Sequence, residues 1–363
     1  MNILIIGSDG FIAKNLINRL KYLKCNLIYY LKNDGLENLK KKIFKSDIIF
    51  YLAGVNRVKN DKDYKKNIEL TKDIINILKL TKKRKKIIFS SSIQANRKNP
   101  YGESKKNSEK LILKINKKKN LKTLIFRLPN IFGKWSKPNY NSVVATFSYN
   151  LARKRKIKIN SNKKIKLVYI DDLIEEFISA ITEKKSSTFR YPKNTFEITL
   201  KQLANILKSF KDPVHNTDFN FDSKLVKYLY STYLSYVPNK KISSLLKLHS
   251  DERGNFIELF KNKNAGQISF FTIKPKKVRG NHFHNTKTEK FLILSGSAKV
   301  NFLNISDKKK FSLRINEKSP KIFITKPGYA HNIENTSNKD AKFIVWSNEI
   351  FDKNKPDTYK YKI

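Results

Sequence analysis

Two residues of the segment PYGESK, Pro100 to Lys105, have the types and spacing for proton transfer: Tyr101 and Lys105 stand four apart. On a helix they share one face, so the Lys105 ammonium can lie close to the Tyr101 phenol and ease the loss of its proton. Just upstream runs IIFSSS, Ile87 to Ser92. A serine hydroxyl at the end of that strand, Ser92 or Ser91, can hold a substrate oxygen beside the phenol, giving one proton donor and one oxygen-orienting donor. A second group stands far along the chain. His282 and His284 are two apart and face the same side of a strand, so they can converge on one ion, with Glu289 and His331 available to complete three nitrogens and one carboxylate. That donor set suits a divalent metal, zinc first, with iron, manganese and nickel compatible.

The elements that must position these residues fall into two kinds. Asn2 to Ile6 is a short apolar run ended by Gly7-Ser8-Asp9-Gly10-Phe11-Ile12-Ala13, and a helical pattern follows through Leu16, Leu20 and Leu23. Strand, glycine turn and helix are the context of a dinucleotide site: Gly7 permits the tight turn, and Gly10 lets backbone approach a pyrophosphate at the helix amino end. The next strand, Leu27 to Leu31, ends at Lys32 and Asn33 rather than at an acid, which favours the extra phosphate of NADPH over the bare ribose of NADH. A strand over Ile48 to Leu52 leading to Ala53-Gly54, a helix near Tyr64 to Leu80 and the strand before the serines continue the alternation. It predicts an α/β, doubly wound parallel sheet of the Rossmann type. Beyond Pro238 the pattern changes to short runs such as Phe256 to Phe260, Gln267 to Ile273, Phe291 to Leu294, Ala298 to Leu303, Ile322 to Thr325 and Phe343 to Val345, which predict an all-β barrel or jelly roll. With 363 residues, two domains are expected, 1–243 and 244–363.

Composition narrows the function classes. A formal charge of +47 ordinarily points to nucleic acid. Here the lysines are spread over almost every segment beside abundant Asn and Ile, as the A-rich codons of an AT-rich genome would give, and dense runs such as Lys82 to Lys86 sit between apolar segments. No nucleic-acid partner is expected. Cys25 is the single cysteine, so no intrachain disulfide or cysteine-rich metal site can form. MNILIIGSDG lacks a basic leader, and no apolar run reaches spanning length, so a cytoplasmic protein without membrane insertion is expected.

Six motifs in family order, GSDGFIA, YLAG, SSS, YGESK, RLPNIFG and VYIDD, make the first two thirds resemble an extended short-chain dehydrogenase/reductase of the kind that modifies nucleotide sugars. The resemblance makes Tyr101 the general acid, Lys105 the residue that binds nicotinamide ribose and lowers the tyrosine pKa, and Ser92 the contact to the reacting oxygen, with Ser91 open. It places the cofactor against Gly7, Asp9, Gly10, Phe11, Ile12, Lys32, Leu52, Ala53, Gly54, Lys105, Arg127 and Pro129, and the substrate against Ser92, Asn130, Asn141 and Arg153. Asp171 and Asp172 read as structural. Gly280-x-His282-x-His284-x4-Glu289-x6-Gly296, with Pro327-Gly328-x-x-His331-x-x-x-Asn335, is similar to the two cupin motifs. Asp251-x-Arg253-Gly254-x-Phe256 resembles the start of cupin epimerases that act on 4-keto sugar nucleotides.

Reductase followed by cupin resembles the bifunctional epimerase/reductases of capsular polysaccharide synthesis. That resemblance implies a UDP-linked 4-keto-6-deoxy amino sugar, UDP-2-acetamido-2,6-dideoxy-4-hexulose. It would be epimerised at C3 in the cupin and reduced at C4 by NADPH, giving the talose precursor of UDP-N-acetyl-L-fucosamine. It also implies a homodimer. For the epimerase base, His282, Tyr329 and Lys290 stay open. Two other readings are a sugar-nucleotide reductase or epimerase whose cupin is purely structural, and a non-catalytic nucleotide- or RNA-binding protein.

Overall fold

The computed structural model describes residues 1–58, 60–118, 121–159, 161–183, 188–214 and 221–363. The chain divides into two compact units, Met1–Ser209 with Phe221–Pro238, and Phe210–Asn220 with Asn239–Ile363.

The first unit begins β1 (Asn2–Ile6), α1 (Phe11–Leu20), β2 (Asn26–Tyr30), α2 (Gly35–Lys45), β3 (Ile48–Tyr51), α3 (Lys65–Leu80), β4 (Lys86–Ser92), α4 (Pro100–Lys118) and β5 (Lys122–Leu128). It continues β6 (Asn130–Phe132), α5 (Val143–Ala152), β7 (Lys164–Tyr169), α6 (Ile170–Thr182), β8 (Phe189–Arg190), β9 (Phe196–Thr199), α7 (Leu200–Ser209) and α8 (Lys224–Leu234). Six strands form one sheet in the order β2-β1-β3-β4-β5-β8, every pair parallel. Runs such as Ile3–Ile6 and Ile48–Tyr51 are buried throughout, as strands covered on both faces must be. Successive strands leave opposite sides of β1, so the carboxyl ends of β1 and β3 open on the crevice that this topology provides for a ligand. A small sheet, β6-β7-β9, stands apart from the main one.

Helix α1 buries Ala13, Leu16 and Leu20, three to four residues apart on one face. The entry to α4 is built more elaborately. The Ser92 hydroxyl accepts from Gln94 N–H at 3.2 Å to start a short 3-10 turn, Ile93–Asn96, and the Asn99 side chain accepts from Gly102 N–H at 2.9 Å. Pro100 takes the first helical position, where its missing N–H costs nothing. A Cβ on Gly102 would lie 2.2 Å from the Gln94 carbonyl oxygen, so only glycine lets α4 pack against the turn that carries the serines. The helix near Tyr64 to Leu80 is preceded by a 3-10 turn, Asp61–Tyr64.

The second unit is all β: β10 (Leu248–Asp251), β11 (Gly254–Asn262), β12 (Gly266–Ile273), β13 (Val278–Phe283), β14 (Glu289–Ser295), β15 (Ser297–Asn304), β16 (Lys310–Asn316), β17 (Ile322–Ile324), β18 (Tyr329–Asn335), β19 (Ala341–Ser347) and β20 (Tyr359–Lys360). They form two antiparallel sheets, β10-β11-β12-β19-β14-β17 and β16-β15-β18-β13-β20, around a core that includes Phe271, Ile273, Phe291, Val300, Phe302, Phe323 and Phe343. Five strands, β10, β13, β16, β18 and β20, escape a search for apolar runs. VRGNHF and YAHNIEN are strands because they pair with each other across His282 and His331, not because they alternate. Among the described residues no helix is long and apolar enough to cross a membrane.

Gly102→Ala should destabilise the first unit by about 1–3 kcal/mol through overpacking at the 3-10 turn. Denaturant unfolding measures it, and an unchanged midpoint would mean that the turn can move away at no cost.

Candidate active site and metal centre

At the carboxyl ends of the parallel strands lies a cleft of about 780 Å³. The turn after β1 forms its floor. Gly7 has φ 85°, and a Cβ there would sit 2.7 Å from the Ala53 Cα, so the two strand ends meet backbone to backbone. The amino end of α1 opens into the cleft with no side-chain cap, leaving its first N–H groups for an anion.

Of the cofactor and substrate residues expected from the sequence, Gly7, Asp9, Gly10, Phe11, Ile12, Lys32, Leu52, Gly54, Ser92, Tyr101, Lys105, Pro129, Asn130 and Asn141 line this one cleft. Ala53 supports the wall from behind Gly7. Asp34, just past the end of β2, does not line the cleft, being tied to Lys42 and to Leu31 N–H.

Two expected residues are placed elsewhere. The Arg127 guanidinium grips Glu109 with two bonds, 3.0 Å from Nε to Oε1 and 2.7 Å from Nη2 to Oε2, lies 4.3 Å from the Phe189 ring, and does not line the cleft. Arg153 stacks on Tyr149 at 3.7 Å and donates to the Tyr236 carbonyl at 2.9 Å. Both cations are used where a desolvated partner waits for them, which spacing alone does not reveal. Asp171 and Asp172 are structural: Asp171 holds Lys134 at 2.6 and 2.8 Å, and Asp172 accepts from the Tyr228 hydroxyl at 3.1 Å.

The chemistry-bearing trio is arranged differently from the simplest expectation. Lys105 is buried, and its Nζ donates to the Ser90 carbonyl at 3.0 Å and lies 5.0 Å from the Phe89 ring. Burial pulls its pKa down to about 8, against a smaller pull upward from Glu109. Burial pushes Tyr101 up to about 12, a hydrogen bond with Ser92 lowers it, and Tyr64 and Tyr140 raise it further; Lys105 is not among the influences. The expectation that the ammonium eases proton loss from the phenol is therefore corrected: desolvation wins, and the phenol holds its proton. The serine alternative is also separated by geometry. The Ser91 hydroxyl donates to Glu109 Oε1 at 2.5 Å, whereas Ser92 bonds to Tyr101. Glu109 was missed in the sequence, although its place four residues after Lys105 on α4 was there to see.

In the second unit His282, His284, Glu289 and His331 each offer a ligand atom, all within 4.8 Å of one another. His284 Nε2 and His331 Nε2 stand 3.2 and 3.5 Å from Glu289 Oε2, while Lys287 Nζ holds Oε1 at 2.9 Å. Burial depresses His282 to about 3, so its lone pair is free for a metal. Glu289 is held well below the usual carboxylate range by its histidine and lysine neighbours, which outweigh its burial. Three imidazoles and one carboxylate converging in this way fit a divalent cation. The orienting shell is present too: the Asp357 carbonyl meets His284 Nδ1, and the Asp357 carboxylate accepts from the N–H groups of Asn285, Thr286 and Lys287. Neither Lys287 nor Asp357 stood out in the sequence. Of the open base candidates, His282 is in the cluster and Tyr329 meets Asn304 at 3.3 Å. Lys290 alternates outward between buried Glu289 and Phe291 and lies over the Trp346 ring at 5.1 Å, away from the cluster.

The NAD dependent epimerase/dehydratase family matches residues 3–191, and the polysaccharide biosynthesis C-terminal domain matches residues 249–359. A UDP-2-acetamido-2,6-beta-L-arabino-hexul-4-ose reductase of Pseudomonas aeruginosa is 38% identical over 99% of this chain and 98% of its own. The crystal structure of the capsular polysaccharide assembling protein CapF from Staphylococcus aureus is 37% identical with a TM-score of 0.91, covering 100% of both chains. UDP-glucuronic acid 4-epimerase from Bacillus cereus in complex with NAD shares the fold alone, at 17% identity and a TM-score of 0.56 over 65% of this chain. The fold of the whole chain thus agrees with that of a full-length relative. The chain belongs to the NAD dependent epimerase/dehydratase family, in its CapF-type form that joins a Rossmann-type reductase domain to a C-terminal cupin and acts on UDP-sugars in polysaccharide synthesis.

Proposed function

We propose that the chain reduces C4 of a UDP-2-acetamido-2,6-dideoxy-4-hexulose with NADPH in the first unit and epimerises C3 of the same sugar in the cupin. The observation that carries the reading is Ser92, Tyr101 and Lys105 lining one cleft with the glycine turn of α1, in a chain whose full-length relative is named as a reductase of such a sugar. NADPH supplies the hydride to C4. Lys32 in the cleft wall, with Asp34 tied elsewhere, favours the 2′-phosphate. The Ser92 hydroxyl orients the C4 carbonyl oxygen. Tyr101, pushed up to about 12, keeps its proton until the much more basic alkoxide forms and then donates it. Lys105, anchored on the Ser90 carbonyl, is placed to hold the nicotinamide ribose. In the cupin, His282, His284, Glu289 and His331 would hold a divalent metal, zinc first, which can polarise a carbonyl oxygen and so acidify C3.

Tyr101→Phe should lower NADPH oxidation by about 10²–10⁴-fold while exchange of the C3 hydrogen with deuterated water continues; oxidation at the wild-type rate would remove Tyr101 from the role of acid. His331→Ala should lose the bound ion and the C3 exchange together, read by metal analysis and by NMR of the recovered sugar. Retained exchange in the metal-free variant would leave the cupin without a metal role. Lys105 is charged below about pH 8 and neutral above it, so kcat/KM should fall as the pH rises through that region. Glu109→Gln removes the charge that opposes this loss, and should move the fall to lower pH. An unmoved profile would disconnect Glu109 from Lys105.

A further inference from the structure

Trp135 stands out in the cleft wall for two independent reasons. Its backbone is left-handed, with φ 68°, a conformation that a bulky residue adopts only under constraint, and its indole is 50% exposed rather than packed into the core. The constraint can be traced on both sides. Before it, Lys134 is held by both carboxylate oxygens of Asp171, at 2.6 and 2.8 Å, and its carbonyl accepts from Asn15 Nδ2 at 3.4 Å. After it, the buried Ser136 carbonyl accepts from the Tyr236 hydroxyl at 2.5 Å. Residues from α1, α6 and the segment after α8 therefore clamp the two neighbours, and the indole between them is presented to the cleft that it lines. An apolar ring of this size gains nothing from such a position in the free protein, because exposure forgoes its hydrophobic gain and the backbone stores strain.

We propose that Trp135 is a stacking platform for the heteroaromatic ring of a nucleotide bound in the cleft. An indole face takes any flat ring with an electron-poor surface, and the surroundings suit the attached phosphates, because Lys137 lines the same cleft two residues further on. The ring comes from one of two sources, the uracil of the nucleotide sugar or a ring of the dinucleotide. The proposal rests on the reading of the cleft as a nucleotide site. Trp135 is one of two tryptophans, so replacing Trp346 with Phe leaves it as the sole indole emitter of the full-length chain.

In the Trp346→Phe protein, UDP and NADP⁺ are titrated separately while the emission is followed, and both affinities are measured calorimetrically for the wild type and for Trp135→Ala and Trp135→Phe. Stacking predicts that one ligand quenches Trp135, that Trp135→Ala binds this ligand about tenfold more weakly and the other ligand normally, and that Trp135→Phe restores most of the loss. Normal binding of the second ligand reports that the variant is folded. Unchanged affinity for both ligands in Trp135→Ala overturns the platform while leaving the cleft a nucleotide site. Failure of the wild type to bind either ligand overturns the nucleotide reading itself, and the platform with it.

Discussion

A buried ammonium needs a reason to stay buried, and most of the reductase cleft is arranged around that of Lys105. Taking such a charge out of water is costly unless it is hydrogen-bonded or compensated. Here the compensation is a strand carbonyl, the face of Phe89 and a carboxylate one helical turn away. Each imposes a demand on the chain. The Ser90 carbonyl must be free to accept, and it stands one residue past the last pairing of β4 with β3, Tyr51 with Phe89, while β4 stays paired with β5 through Ser92. Gly54 must lack a side chain, because a Cβ would come within 2.9 Å of the Lys105 Nζ. Glu109 must itself be neutralised, and Arg127 from β5 does this while its Nη1 reaches Asn96 at 3.0 Å, on the turn that follows Ser92. One desolvated cation thereby couples the ends of three strands to the helix that carries Tyr101.

The cupin meets the same problem with opposite signs. Glu289 is the buried anion, and three imidazoles with Lys287 surround it. Before any metal is considered, these groups already hold the carboxylate ionised, which is the state a cation requires. The C-terminal segment closes the arrangement: Asp357 caps the loop after β13, and β20 pairs with β13 at His282 and Phe283. Ligands from β13, β14 and β18 can converge only because the barrel curves them together, and the bulge between Gly280 and His282 re-aims the first of them.

What could be read from the residues was whatever depends on local spacing. The glycine turn, the four-residue separation of Tyr101 and Lys105, and the alternation of apolar strands with helices need only neighbours in sequence, and the structure gathers them at one cleft. What could not be read depends on partners distant in sequence. Arg127 was placed at the cofactor by the family resemblance; its commitment to Glu109 appears only when α4 is laid against β5. The pKa of Tyr101 was expected to fall because a lysine is near in sequence, yet depth of burial and the direction in which Lys105 points decide the sign. Polar strands such as YAHNIEN offer no apolar run for the same reason, since their partners, not their composition, make them strands.

The proposed pairing of activities has a direction built into its chemistry. C3 carries an acidic hydrogen only while C4 is a ketone, so exchange of configuration at C3 requires the unreduced sugar. Hydride addition at C4 removes that carbonyl and leaves an ordinary secondary alcohol beside C3. A high pKa on Tyr101 fits this order, because a phenol that keeps its proton is a poor base toward the alcohol product and does little to run the reduction backward at neutral pH. The first reaction is reversible by nature, and the second withdraws its product from the equilibrium. Irreversible capture of one epimer therefore needs no discrimination by the cupin, only selection of that epimer by the pocket in which C4 is reduced.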